Sequence, residues 1–302
     1  MSGITAAMVK ELRDTTGAGM MDCKAALKET DGDIDAAVDW LRKKGLSKAA
    51  KKAGRTATEG LVAVGLEANA KGETGVLVEV NSETDFVARN DLFQKMVDDI
   101  AQTAISVGGD LDKLRSEEFP GAGKSVDEHV AEMVGKIGEN MSLRRSEGIT
   151  VDEGAVASYI HGQVTDGAGK IGVLVGLKSS GDKAVLKAVG KQVAMHVAAA
   201  RPLAARIEDL DPTVVEREKS VLAEQARASG KPEAIIDKMV EGRLRKFYEE
   251  GVLLEQVFVI DGETKVGKVI ENAAKDAGAP VEFVGFVRLE LGDGVEKSAD
   301  ED

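Results

Sequence analysis

Two stretches of this chain carry the same apolar pattern 97 residues apart, and that duplication limits the folds open to it more than any other feature. Val76, Leu77 and Val78 fall over Val173, Leu174 and Val175, while Met96, Val97, Ile100 and Ala101 fall over Val193, Ala194, Val197 and Ala198. Each copy begins with two strand-like runs, GLVAVGLEAN and GETGVLVEV in the first, GAVASYIHGQV and GAGKIGVLVGL in the second. Glycine-bounded runs of β-branched residues predict a hairpin, and the helical periodicity of DLFQKMVDDIAQTAI and AVLKAVGKQVAMHVAAA predicts a helix after each. The expectation is a duplicated strand–strand–helix core with antiparallel sheets, in an α+β protein.

Around the copies the periodicity is helical. Residues 4–45 predict three short helices: Thr5 caps the first, TTGAG at 15–19 breaks it, MMDCKAALKE forms the second, and Asp31 or Asp33 caps a third that Gly45 ends. A bundle of about 45 residues is small for independent stability, so a partner could complete its apolar face. Met20 and Met21 are the candidates for that contact, against the competing reading of methionine as core filler. Between the copies SVDEHVAEMVGKIGENMSLRR predicts a helix to about Ile137. After the second copy, residues 211–250 predict two charged helices hinged at SGKP, with Gly230 as stop and Pro232 as start. They make an antiparallel arm whose narrow apolar stripe packs on itself or on a second copy. VLLEQVFVI then predicts a strand, VGKVIENAAKDAG a helix, VEFVGFVRLELG a strand, and SADED an acidic tail. The units are thus 1–54 (helical, with a basic linker), 55–150 (first core half), 151–207 with 248–291 (second core half), 208–247 (arm) and 292–302 (tail).

Composition removes several functions. A net charge of −13 over 302 residues argues against a general binder of phosphate backbones. Residues 1–55 run the other way, with eleven Lys or Arg against eight Asp or Glu, concentrated in SKAAKKAGR at 47–55. That segment fits a solvated linker or an RNA contact. No apolar run reaches membrane-span length and no secretory signal opens the chain, so a cytoplasmic protein is expected. One cysteine, Cys23, excludes an intramolecular disulfide, and with three histidines it makes a metal cluster an unsuitable reading. GETKVGKV at 262–269 lacks the Ser or Thr of a phosphate loop, PGAGKS at 120–125 lacks its first glycine, and GAGKIG at 167–172 precedes a strand. His161 and His196 fit structural roles, and Cys23 has no histidine near it in sequence. No catalytic residue, cofactor or metal is assigned. What remains is NSETDFVARNDLF at 81–93, where Asp85 and Phe86 sit at a strand's end; Phe86 either meets a partner there or staples the helix that follows.

KELRDTTGAGMMDCKAAL at 10–27, VEVNSETDFVARN at 78–90, KIGEN at 136–140, MHVAAARP at 195–202 and SGKPEAIIDKMVEGRLRKF at 229–247 closely resemble the bacterial elongation factor Ts family, in order and over almost the whole chain. The resemblance implies a UBA-like N-terminal module, a two-helix antiparallel coiled-coil arm of the dimerisation type, and no active site of the chain's own. It implies guanine nucleotide exchange on the translational GTPase elongation factor Tu, in its GDP-bound and nucleotide-free states, without membrane or direct nucleic-acid partners. Asp85 and Phe86 would push between helices of the partner's nucleotide domain and disturb its magnesium and phosphate sites. Arg13, Met20, Met21, Ile137 and His161 match further contact positions, and residues 208–247 a possible homodimer contact. Ser82-Glu83 before TDF, and Asn90-Asp91 after it, are expected to tune the interface only slightly.

Overall fold

The computed structural model describes residues 4–16, 18–228, 230 and 232–295. Gly17 of the predicted break, Ser229 and Lys231 of the predicted hinge, and the SADED tail lie outside the described residues. The chain runs through α1 (Ala6–Thr16), α2 (Met20–Glu29), α3 (Ile34–Ala50), β1 (Glu59–Ala68), β2 (Glu73–Ser82), α4 (Asp85–Ala88), α5 (Asp91–Ser106), α6 (Leu111–Ser116), α7 (Val126–Ile137) and β3 (Met141–Val151). It continues with β4 (Gly154–His161), β5 (Ala168–Gly169), β6 (Ile171–Lys178), α8 (Lys183–Ala200), α9 (Pro212–Arg227), α10 (Glu233–Gly251), α11 (Val266–Ala277) and β7 (Glu282–Glu290). Among the described residues no helix is long and apolar enough to cross a membrane.

The duplication is real and longer than the sequence pattern alone reveals. One sheet has the order β3-β2-β1-β5 and the other β4-β6-β7, with β1, β2, β3 matched by β4, β6, β7 and the neighbours antiparallel. The register slips between Glu79 and Val80 on β2, and between Gly176 and Leu177 on β6, so the two copies bulge at the same place. Gly60, second in β1, and Gly154, first in β4, have φ of +125° and +143°. A Cβ at either would sit 2.1 Å from a carbonyl oxygen, of Val80 or of Leu177. The helices α7 and α11 extend the match, their buried Val126, Val130 and Met133 standing where Val266, Ile270 and Ala273 stand in the second copy. The arm enters the second copy between α8 and α11, so the constant spacing ends there.

Alternation along the central strands builds the layers. Val76, Val78 and Val80 face α5 and α7, Val173, Val175 and Leu177 face α8 and α11, and Leu77 and Leu174 meet Val62, Val151, Val156 and Leu289 in a third cluster between the sheets. The order is helices, sheet, sheet, helices. Glycines let the sheets approach: a Cβ at Gly75 would lie 2.7 Å from Val156, and one at Gly172 would lie 2.8 Å from Leu77 and Val62. Gly75 thus lies over Leu174 and Gly172 over Leu77, so β2 and β6 cross in opposite senses. The C-terminal end of β2 shares one end of the double layer with the N-terminal end of β6. Fully buried Glu79 tightens the seam, accepting hydrogen bonds from Arg144 Nη1 (3.1 Å), Arg145 Nε, Asn81 Nδ2 (3.1 Å) and the Gly292 N–H (2.8 Å).

Two local expectations are corrected. Gly45 does not end the third helix, which continues to Ala50, because α3 lies on α7 with Gly45 against Gly135; a Cβ at Gly135 would be 2.9 Å from Gly45 Cα. Gly45 is a packing glycine. The VLLEQVFVI run is not a strand: Leu253–Glu255 form a 3₁₀ turn, and Val252 and Val257 make isolated bridges, to Ala204 and Lys265. Its apolar residues divide instead, Leu253 and Phe258 entering the core while Val257, Val259 and Ile260 stay exposed. The arm is an antiparallel pair closed by Leu222, Ala226, Ile236 and Val240.

Candidate interaction site

At the junction after β2 the two copies differ in local structure. In the second copy β6 leads through a four-residue turn straight into α8, capped by Asp182. In the first, at the same residue spacing, the corresponding helix is broken. Asp85–Ala88 make a single turn, Arg89 leaves it, and Asn90 caps a new helix by accepting from the N–H groups of Leu92 (2.9 Å) and Phe93 (3.3 Å). By that spacing Phe86 stands where α8 has Lys183.

The short helix is amphipathic in the extreme. Val87 and Ala88 are buried in the first core cluster, whereas Phe86 is 79% exposed and Asp85 faces solvent beside Arg89, at 3.4 Å. The stapling reading therefore fails: Phe86 points away from the helix that follows, and Phe93 fills the core in its place. Phe86 is thus a bare phenyl ring on a turn whose next two residues are buried.

The other predicted residues lie on α1, α2, α7 and β4. Met20 (60% exposed) and Met21 (77%) project from α2, whose opposite face buries Cys23, Ala26 and Leu27, and Arg13 is exposed on α1. The core-filler reading of these methionines fails too. Burial pushes the Cys23 thiol pKa up. Gly19 and Asp22 share a groove of about 450 Å³ with Gly135 and Lys136, so the start of α2 flanks the end of α7. Ile137 closes α7, half-buried against the first core cluster, and Gly138 ends the helix at φ +95°. His161 is exposed at the end of β4, its Nδ1 3.1 Å from Tyr159 Oη, and the crossing of β2 over β6 places it at the same end of the double layer as Ser82.

Sequence reasoning missed the part played by five side chains here. Glu139 accepts hydrogen bonds from the Thr84 N–H (3.0 Å) and Thr84 Oγ1 (2.9 Å), and Glu83 accepts one from the Asn140 N–H. Asn140 Nδ2 donates to the Arg55 carbonyl (2.7 Å), and Arg55 pairs with Glu83 at 3.4 Å. The basic segment at 47–55 is accordingly docked, with Ala49 in the core and Lys52 donating to the Gly138 carbonyl. KIGEN and SETDF stand out in the sequence, but nothing in their spacing says that they touch.

His196 serves the frame. Its Nδ1 accepts from the Val259 N–H (3.2 Å), so Nε2 carries the proton and donates to Gln256 Oε1 (2.8 Å), and burial lowers its pKa. Two of the three glycine-bearing segments tested as phosphate loops, those at 120–125 and 262–269, fall in equivalent turns of the two copies. The Phe119 N–H donates to the Lys124 carbonyl and the Phe258 N–H to the Thr264 carbonyl, each at 2.8 Å.

The structure defines a duplicated α+β frame with a docked helical module, an inserted helical arm and apolar side chains exposed at its surface. Comparison with known proteins gives that frame its family. The profile of the family "Elongation factor TS" matches residues 83–293. The chain is 62% identical over 297 residues to elongation factor Ts of Parvibaculum lavamentivorans, covering 98% of this chain and 95% of the relative. It is 60% identical over 298 residues to that of Rhodospirillum rubrum and 58% over 297 to that of Rhizobium etli (CIAT 652), each covering 98% and 95%. The chain belongs to the elongation factor Ts family, and its role is in translation elongation.

Proposed function

We propose that this chain is a guanine nucleotide exchange factor for elongation factor Tu, acting in the cytoplasm by contact alone, with no active site of its own. Asp85 and Phe86 enter between helices of the partner's nucleotide domain, Phe86 taking an apolar pocket, and the displaced helices disturb the magnesium and phosphate site until GDP leaves. The observation that carries this reading is the 79% exposure of Phe86 on a one-turn helix whose following residues are buried.

One ring does not suffice. Reversing a two-state preference from about 1:99 to 99:1 needs roughly 5.5 kcal/mol of differential binding, and burying one Phe yields about 1.5–3. Arg13, Met20, Met21, Ile137 and His161 share the work, which gives residues 1–54 and both core halves a part in the same interface. Linkage makes the effect reciprocal: whatever factor the chain takes from nucleotide affinity, nucleotide takes from the chain's, and GTP binding expels it. Residues 208–247 form a separate arm with a homodimer contact, for which the solvent-facing Val214, Val221 and Ile235 supply apolar surface.

The test is release of a fluorescent GDP from elongation factor Tu with substoichiometric amounts of this chain. Acceleration with turnover is expected; release no faster than the partner's own would overturn the reading. Excising the arm should abolish a dimer in sedimentation and leave exchange intact.

A further inference from the structure

We infer that Glu83 and Glu139 are positioning residues that hold Asp85 and Phe86 ready for the partner, an inference that rests on the wedge reading above. Backbone pairing of β2 with β3 ends at Ser82 opposite Met141. The next two rungs would set 83 against 140 and 84 against 139, and there side chains take over from the backbone. Glu83 receives the Asn140 N–H while Glu139 receives the Thr84 N–H, a crossed pair of carboxylate clamps, and the Thr84 hydroxyl adds contacts of 2.9 and 3.0 Å to Glu139. Thr84 is the cap residue of α4, yet its side chain makes no capping bond, being turned to Glu139 instead. Hydrogen bonds to a carboxylate are among the stronger ones proteins make. Arg55 closes the figure, paired with Glu83 through its guanidinium and with Asn140 through its carbonyl.

The second copy is an internal control. The register that sets Val80 against Leu143, and Leu177 against Phe283, sets Glu83 and Thr84 against Ser180 and Gly181, and Glu139 and Asn140 against Ala279 and Pro280. The left-handed helix-ending glycines, Gly138 and Gly278, correspond as well. None of the four clamp side chains is present in the copy whose junction displays no aromatic. There the Asp182 N–H donates directly to the Ala277 carbonyl at 2.9 Å. The repeat frame thus holds such a junction without carboxylates, and the clamp goes with the displayed ring. An anchor already ordered loses less freedom on binding, so the clamp adds to what Phe86 delivers.

The experiment uses the full chain as wild type, Glu139→Ala, Glu139→Gln, Phe86→Ala and the Glu139→Ala/Phe86→Ala double variant. Stimulated GDP release and amide hydrogen exchange at residues 84–89 are followed on each, with the melting temperature as control. Removing charge-assisted hydrogen bonds should slow stimulated release roughly tenfold in Glu139→Ala and speed exchange of the 84–89 amides about as much. Glu139→Gln, which keeps an acceptor oxygen, should recover most of the loss, and Glu139→Ala should add nothing once Phe86 is gone. Unchanged release in Glu139→Ala beside slowed release in Phe86→Ala overturns the clamp and leaves the wedge standing. A Glu139→Ala defect that persists in the double variant also overturns it, since Glu139 would then act elsewhere. Silence of Phe86→Ala overturns the wedge, and the positioning role with it. Should Glu139→Ala lower the melting temperature, Thr84→Val removes the hydroxyl contacts alone and is held to the same expectations.

Discussion

The two halves of the core share strands, register, bulge and helices, yet they put opposite things at three corresponding places. Where the first half has Glu79, Phe86 and Phe93, the second has Gly176, Lys183 and Gly190. A duplicated frame can be kept by its common apolar pattern while single positions diverge. The first half has spent its divergence on a broken helix that displays a ring, and the second on an inserted arm.

The largest effect expected from breaking that contrast is at Phe93. It is fully buried on the first turn of α5, so Phe93→Ala should cost about 3–5 kcal/mol in urea unfolding, the loss of a large core side chain. At the corresponding Gly190 a Cβ would lie 2.6 Å from that of Ala157, so Gly190→Ala should cost roughly 1–3 kcal/mol through overpacking. Glu79→Ala comes next. It strands two arginines that the carboxylate now pairs, and a loss of about 3 kcal/mol is expected, the lower end for a broken buried pair because both keep some contact with water.

The third prediction concerns function and should leave stability alone. Phe86→Ala should slow stimulated GDP release by roughly ten- to a hundredfold, the worth of one buried phenyl, with an unchanged melting temperature because the ring touches little in the free chain. Lys183→Ala, at the corresponding place in the second half, should leave release as it was. Equal effects at the two junctions would erase the functional side of the comparison.

The smallest effect separates two histidines, the buried His196 and the half-buried His129. Burial lowers the pKa of His129, stacked on Phe119 with ring centroids 3.7 Å apart, and that of His196, beside Phe258. A histidine with a depressed folded pKa supports the fold in its neutral form. Its contribution is complete above the unfolded value of about 6.5 and is lost as pH falls through the folded one. Unfolding free energy should therefore drop as pH falls below about 6.5. His129→Phe keeps a stacking ring and should remove part of that drop at little cost. His196→Phe should destabilise already at pH 7, because it leaves the Val259 N–H and the Gln256 amide without their partner.

Much of this was legible in the sequence. The strand–strand–helix repeat, the caps Thr5 and Asp33, the end of α7 at Ile137 and the two arm helices all follow from local periodicity and side-chain capping. The α7–β3 counterpart in α11–β7 was hidden, because the arm changes the spacing and a fixed offset cannot follow it. The junction motif was visible as TDFVA; its supports Glu83, Glu139 and Asn140 were not, since acids and amides on the surface look alike until something is packed beside them. Gly45 illustrates the same limit from the backbone side, being a stop by local rule and a contact by tertiary fact.

By itself the sequence determined which faces are apolar, where helices and strands begin, and that one half of the core repeats the other, because those properties depend on residues within a turn or two of each other. Only the tertiary structure decided that the two sheets lie face to face with β2 and β6 crossing in opposite senses, that Phe86 and the methionines of α2 face water, and that SETDF is gripped by KIGEN. The physical reason is that hydrophobic pattern specifies that a face must be covered without naming the cover. Contacts between segments more than fifty residues apart are fixed only when all the layers are packed at once.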